Sequence, residues 1–285
     1  KGCSSDCPTG VDMAKLKAEV KHQHHQKEGV GLRERLFANV DTVSKVGSAL
    51  APVSNWAQKL PGADALAERL FGIAADREKP HFASQTLVDW FEARGRCQLA
   101  PSEADDQVIL FPDTYTNYSH PDPGKAAVEV LEAAGVYVRM PENLAPSGRA
   151  AFSKGMLDTA RERAEANVDA LVDAVEDGWS VVFVEPSDAV MFQDEYLDLL
   201  SGPAVERVAD GAYGVCEFLD VHRLDEGMAF DAPGEALTYH GHCNQKATNR
   251  DHHAVGVLRR AGYDVDPLDS GCCGMAGSFG YEAEH

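Results

Sequence analysis

VLEAAGVYV at 130–138 and VLRRAGYDV at 257–265 share one pattern, 127 residues apart. Each reads as the end of an amphipathic helix, an Ala-Gly stop and the start of a strand. Around the first copy, QVILFPD (107–113) predicts a strand. KAAVEVLEAAG (125–135) predicts a helix with Gly135 at its C-terminal cap, and VYVRM (136–140) a second strand. A long helix is expected over about 148–177, then a strand at 179–184, a sharp turn at Glu185–Pro186–Ser187 and another helix. Around the second copy, ALTYH (236–240), DHHAVGVLRRAG (251–262) and YDVDPL (263–268) read as strand, helix and strand. Strands alternating with helices imply a parallel sheet, so the fold class is α/β. Such folds place their sites in the loops at the carboxyl ends of the strands.

Those loops hold the chemistry of the tail. TYHGHCNQKA (238–247) carries Cys243 between His240 and Asn244, with His242 beside it. DSGCCGMAGSFGY (269–281) carries Cys272 and Cys273 among four glycines. Glycines allow positive φ and close approach to a bulky group, and thiolates bind soft metals and iron–sulfur clusters. A thiolate metal or cluster site between two loops is therefore expected; two buried cysteines and a Gly-rich turn is the rival reading. Carried back by the repeat offset, Cys243 falls on Thr116 and Asn244 on Asn117. With a one-residue slip, Cys272, Cys273 and Gly274 fall on Pro146, Ser147 and Gly148. The chain thus reads as two copies of one module, with thiols only in the second. Two βαβ units that merely share a general pattern would be the competing account.

The opening, KGCSSDCPTGVDMAKLKAE, places Cys3 and Cys7 at C-x3-C-P spacing. That is the closing half of the bacterial ferredoxin run C-x2-C-x2-C-x3-C-P, whose earlier cysteines would precede Lys1. Asp12 is expected to cap a helix from Met13 to about Glu28. His22 and His25 on it could supply two converging ligands, although a solvated helix face fits them better. Residues 30–104 read as short helices broken by Pro52, Pro61–Gly62 and the polar run 76–80, with no chemistry of their own. Cys97 reads as structural.

The chain has 285 residues, 46 acidic against 26 basic side chains and a net charge of −20. Such a balance argues against nucleic acid, whose phosphates demand a basic surface. The acids are spread along the chain, which favours a halophilic, highly solvated surface over an ordinary acidic one. No stretch approaches the apolar length of a membrane span, and no secretory signal is read at the start. Seven clustered cysteines suit metal or redox chemistry in a reducing compartment better than a disulfide framework.

HGHCNQKA and DSGCCGMAGSFGYE resemble the CCG module, the cysteine-rich domain of iron–sulfur oxidoreductases. Members include the B-type subunit of heterodisulfide reductase, the glycolate oxidase iron–sulfur subunit and the C-type subunit of anaerobic glycerol-3-phosphate dehydrogenase. The likeness is greatest to the C-terminal part of fused FAD-linked oxidases of the D-lactate dehydrogenase type. CPTGVDMAKLKAE resembles the end of their ferredoxin segment, and FPDTYTNYSHPDPGKAAVEVLEAAG, SKGMLDTARERAEAN and VEPSDAVMFQDEYLDLL resemble the stretches between.

The resemblance implies four segments. They are the end of a ferredoxin-like 4Fe-4S segment (1–29), a helical segment (30–104), a first CCG-like module without its cysteines (105–235) and a second that keeps them (236–285). It also implies an electron-transfer function, with FAD in a separate domain or subunit. That flavin would oxidise a 2-hydroxy acid such as D-lactate or glycolate, or glycerol-3-phosphate, and a quinone or redox protein would accept the electrons. Cys3 and Cys7 would hold one 4Fe-4S centre, and Cys243, Cys272 and Cys273 a second. His240, His242 and Asp188 are candidate further ligands; Asp188 stands where the family often has a cysteine, as Pro146 and Ser147 stand for a Cys pair. No catalytic residue is expected here. The implied location is cytoplasmic, with peripheral contact at the inner face of the cell membrane left open. The alternative is a zinc-stapled or degenerate module acting as a structural or interaction domain.

Overall fold

The computed structural model describes residues 1–5, 7–95, 101, 104, 106–230, 234–271 and 273–284. Cys97 and Cys272 fall outside them. The first third is helical: α1 (Gly2–Ser5), α2 (Met13–Glu28), α3 (Leu32–Ala38), α4 (Val40–Ala49), α5 (Ala51–Gln58), α6 (Ala63–Phe71) and α7 (Leu87–Ala93). Asp12 caps α2 as its sequence predicts, its Oδ1 accepting from the Ala14 and Lys15 amides at 2.9 and 3.1 Å. Gly29 ends α2 at φ +82°.

The α/β part follows. β1 (Asp106–Phe111), α8 (Thr114–Tyr118), α9 (Pro121–Ala133) and β2 (Val136–Arg139) form a first βαβ unit. Next come α10 (Arg149–Ser153), α11 (Leu157–Glu176), β3 (Ser180–Phe183), α12 (Pro186–Val190) and a π-helical turn at Met191–Glu195. Then come α13 (Tyr196–Leu199), α14 (Pro203–Asp210), β4 (Ala212–Gly214) and α15 (Val215–Val221). The sheet order is β2-β1-β3-β4, with every pair parallel. Ile109, Phe111, Val181 and Phe183 face α11, α14 and the aromatic pair Phe192–Tyr196. Val108, Leu110 and Val182 face α9 and α15. Both faces of the sheet are therefore covered, as parallel sheets require. The chain leaves β1 for β2 on one side and returns to β3 on the other. The crevice at the carboxyl ends of β1 and β3 is thus the switch point where α/β folds bind ligands.

The helix expected over about 148–177 is two helices. Lys154, Gly155 and Met156 separate α10 from α11, with Gly155 at φ +73°. The reason is tertiary: a side chain at Gly155 would run into α2, its Cβ 2.9 Å from His22 N and 3.0 Å from Ala18 O. The break lets α2 lie directly on the α/β part, and Ala18 and Ala38 join the core beneath α11.

The last part is β5 (Ala236–Tyr239), α16 (Cys243–Ala247), α17 (His252–Arg260) and β6 (Asp264–Pro267). β5 and β6 pair in parallel, Ala236 opposite Asp264. The chain then returns to the helical segment. Ile73 bridges Glu282, and Ala74 N–H donates to Tyr281 O at 2.8 Å. Glu282 also receives Lys154 Nζ at 2.6 Å in a buried ion pair. On the outer side, α4 to α6 expose an apolar row that includes Val46, Leu50, Val53, Trp56, Leu66 and Leu70. No described helix is long and apolar enough to cross a membrane.

Candidate metal centre

Because β5 and β6 are neighbouring parallel strands, the loops at their carboxyl ends abut. These loops carry Cys243 and the Cys272–Cys273 pair. Two side chains fasten them together. His240 Nε2 donates to Gly271 O at 3.2 Å, one residue before Cys272. Lys246 Nζ donates to Ser270 O at 2.6 Å and to Leu268 O at 3.3 Å. Cys243 is half-buried and Cys273 exposed.

His242 has another task. Its Nδ1 accepts from the Asn244 amide at 3.3 Å and so caps α16. An accepting Nδ1 requires the neutral ring with its proton on Nε2. Burial lowers the His242 pKa below its ordinary value and so favours that neutral form. Nε2 faces Glu185 Oε1 at 3.8 Å.

The opening of the chain lies against this loop. α1 packs on α16, and the backbone nitrogen of Lys1 is 3.5 Å from Cys243 Sγ. Cys3 is exposed and Cys7 half-buried. The Cys7 thiol is 3.2 Å from Thr9 Oγ1. That hydroxyl and the amides of Val11 and Thr9 lower its pKa to about 7. A thiol so placed is substantially thiolate near neutrality, the form that binds metal. Gly274, after the Cys pair, adopts φ +87° with open space where a side chain would lie.

The loops after β1, β2 and β3 carry oxygen chemistry. Asp113 caps α8, its Oδ1 accepting from Thr116 N–H at 2.8 Å, as His242 caps α16. Asn117 Oδ1 accepts from Val88 N–H at 3.1 Å. The Ser147 hydroxyl hydrogen-bonds Asp188, and Arg149 N–H donates to Ser147 Oγ at 3.2 Å. Burial pushes Asp113 up to about 6, helped by the charge of Glu185. Burial, then the charges of Asp113 and Glu185, push Asp188 well above the carboxylate range. A carboxyl held toward its protonated form is a poor oxygen ligand.

Asp113 has a sign that can be checked. Its folded pKa lies above its ordinary 3.8, so its contribution to stability is complete below pH 4 and lost as pH rises through about 6. The loss amounts to about 2–3 kcal/mol at pH 7. Asp113→Asn keeps the acceptor for Thr116 N–H but cannot ionise. Urea unfolding should find Asp113→Asn more stable than the parent at pH 7, and the advantage should vanish near pH 4. An advantage that stays constant across that range would contradict the assignment.

Comparison with known proteins places the chain. The C-type subunit of anaerobic glycerol-3-phosphate dehydrogenase from Escherichia coli (strain K12) is 26% identical over 264 residues, 89% of this chain and 64% of that protein. D-2-hydroxyglutarate dehydrogenase of the same organism is 24% identical over 298 residues, 100% of this chain but 28% of that protein. Lactate utilization protein A of Bacillus pumilus (strain SAFR-032) is 32% identical over 184 residues, 61% of this chain and 74% of that protein. The chain belongs to the CCG family of iron–sulfur oxidoreductases. No family model and no solved structure matches it. As a CCG protein it spans less than two thirds of the length of the first two of these relatives.

The donor set of this CCG protein fits an iron–sulfur centre in kind. Cys7 sits among hydrogen-bond donors that favour thiolate, and the Cys243 loop is pinned to the one that precedes Cys272 and Cys273. Among the described residues no three ligand-type side chains converge, and Cys272 lies outside them. Lys246 and Asp113 escape a reading of the CCG motifs. A lysine three residues after a cysteine and an acid after a strand carry no periodic signal.

Proposed function

We propose that this chain is the iron–sulfur electron-transfer part of a flavin-dependent dehydrogenase. One observation supports this reading above the others: the Cys3–Cys7 segment is seated on the Cys243 loop, with Lys1 N 3.5 Å from Cys243 Sγ. Two thiol groups 240 residues apart in sequence thereby belong to one region. Cys3 and Cys7 would contribute to one 4Fe-4S centre, and Cys243, Cys272 and Cys273 would hold a second. The clusters supply one-electron carriage. The chain's own residues orient the loops: His240 and Lys246 clamp one to the other, and His242 fixes the start of α16. Asp188 is tied to Ser147 and is assigned no ligand role.

The flavin would reside in another domain or subunit, where a 2-hydroxy acid or glycerol-3-phosphate is oxidised. The curated relatives are named for glycerol-3-phosphate, D-2-hydroxyglutarate and lactate. Electrons would leave to a quinone or a redox protein, in the cytoplasm or at the inner face of its membrane. We read the β5–β6 unit as a second copy of the β1–β2 unit: each is a parallel pair joined through a capped short helix and a longer one. Optical and EPR spectra of anaerobically purified protein test the reading. An iron–sulfur charge-transfer band is expected. A colourless protein with stoichiometric zinc would overturn it.

We also infer that the acidic surface is an adaptation to high salt. The first 72 residues carry ten basic and eight acidic side chains, so the excess of acids lies wholly on the remainder. Self-repulsion there is screened as ionic strength rises. Tm should climb steadily from dilute buffer to molar potassium chloride; a Tm independent of salt would remove the inference.

A further inference from the structure

Glu195 lies in the π-helical turn Met191–Glu195 and is fully buried. A charged side chain in such a place needs partners, and it has two, from distant parts of the chain. Lys1 Nζ approaches Glu195 Oε1 at 2.9 Å, and Arg149 Nη1 donates to the same oxygen at 2.7 Å. Lys1 is itself enclosed. Its ammonium also meets Asp12 at 3.1 Å and pairs with Asp194. Lys15 extends the group, with Asp194 at 2.9 Å and Asp198 at 2.6 Å.

The geography of this network matters more than its strength. Lys1 is two residues before Cys3, and its backbone nitrogen faces Cys243 Sγ. Arg149 opens α10 directly after Gly148 and donates its backbone N–H to Ser147. A single buried carboxylate therefore holds three segments in register: the Cys3 segment, the loop after β2 and, through Lys1, the Cys243 loop. Asp12 adds the start of α2, so Lys1 ties its own segment to that helix. π-Helical turns recur at functional sites, and this one directs Glu195 inward instead of toward solvent.

We propose that Glu195 is a positioning residue that, through Lys1, holds the segment carrying Cys3 against the Cys243 loop. The inference rests on the proposed electron-transfer reading for its purpose, but its geometry does not need a bound cluster. It assigns Glu195 no contact with metal or substrate.

The test uses the full chain, before and after removal of metal by chelation. Glu195→Gln keeps the shape and removes the charge; Glu195→Asp keeps the charge on a shorter arm. In metal-free Glu195→Gln, amide exchange in residues 1–12 should quicken by about tenfold, because the segment opens locally. Alkylation of Cys243 by iodoacetamide, read by mass spectrometry, should quicken roughly severalfold as its cover loosens. Glu195→Asp should restore part of both effects. Exchange in β1 and β3 should stay at the parent rate, which separates lost positioning from general unfolding. Unchanged exchange in 1–12 together with unchanged Cys243 reactivity would overturn the proposal. Should Glu195→Gln fail to fold, Lys1→Met replaces it: Glu195 then keeps Arg149, and the same two accelerations are expected. Their absence in Lys1→Met would overturn the proposal equally. A metal-free chain that shows both effects but never takes up iron would count against the electron-transfer reading alone.

Discussion

Cys243→Ser and Cys273→Ser are each expected to abolish the centre held by the tail. Serine keeps the shape of cysteine, but its hydroxyl stays protonated near neutral pH, whereas a ligand must be anionic. If the chain carries two 4Fe-4S centres, loss of one should remove roughly half of the bound iron and of the visible absorbance. The loops should survive, since His240 and Lys246 clamp Gly271, Ser270 and Leu268 without the sulfurs. Folding of the variants is therefore expected, and a fall in iron would report ligation instead of collapse. Cys216→Ser supplies the control. Burial raises the Cys216 thiol above its ordinary value, and it packs with the apolar cluster beneath α9 and α15. Iron per chain in Cys216→Ser should match the parent. Equal iron in parent, Cys243→Ser and Cys273→Ser would refute the assignment.

Gly155→Ala should be strongly destabilising. Two costs add at this position. The backbone is held at φ +73°, where an L side chain costs about 1–2 kcal/mol. The added Cβ also meets the side chain of Lys21, His22 N at 2.9 Å and Ala18 O at 3.0 Å. Two of those atoms are helix backbone, so relief requires α2 to move as a body. Overpacking of that kind costs a further 1–3 kcal/mol or so. A total near 2–5 kcal/mol is expected in urea unfolding. Gly178→Ala makes the comparison: it shares the positive φ, at +91°, but meets nothing within 4 Å. It should lose the backbone part alone. Equal losses at the two sites would show that α2 is not packed on residue 155.

Much of this was readable beforehand, for local reasons. The strands β1, β2 and β3 are short apolar runs between turn signals. Asp12 and Gly29 bound α2 as a cap and a stop should. ALTYH is a short β-rich run, and β5 (Ala236–Tyr239) lies within it, just ahead of Cys243. What escaped depends on residues distant in sequence. The break at Gly155 is invisible in a helical pattern, because a glycine inside one is a weak signal; its cause is α2, which lies more than a hundred residues earlier. β4 spans only Ala212–Gly214, too few residues to show alternation. Glu195 reads as one more acid on an acidic chain, and only the fold supplies Lys1 and Arg149.

The return of the tail to Ile73 and Gly72 has a consequence for biosynthesis. Glu282 bridges Ile73, Ala283 N–H donates to Gly72 O at 2.8 Å, and Lys1 meets Glu195. A growing chain thus makes the segment around Lys1 early but cannot seat it until residue 195 has emerged. The contacts at Gly72 and Ile73 likewise wait for residues 282–283. Contacts of such sequence separation form late and slowly. While residue 195 is still to come, Cys3, Cys7 and Cys97 have already been made, and those three thiols must be kept from oxidation before their segment is seated.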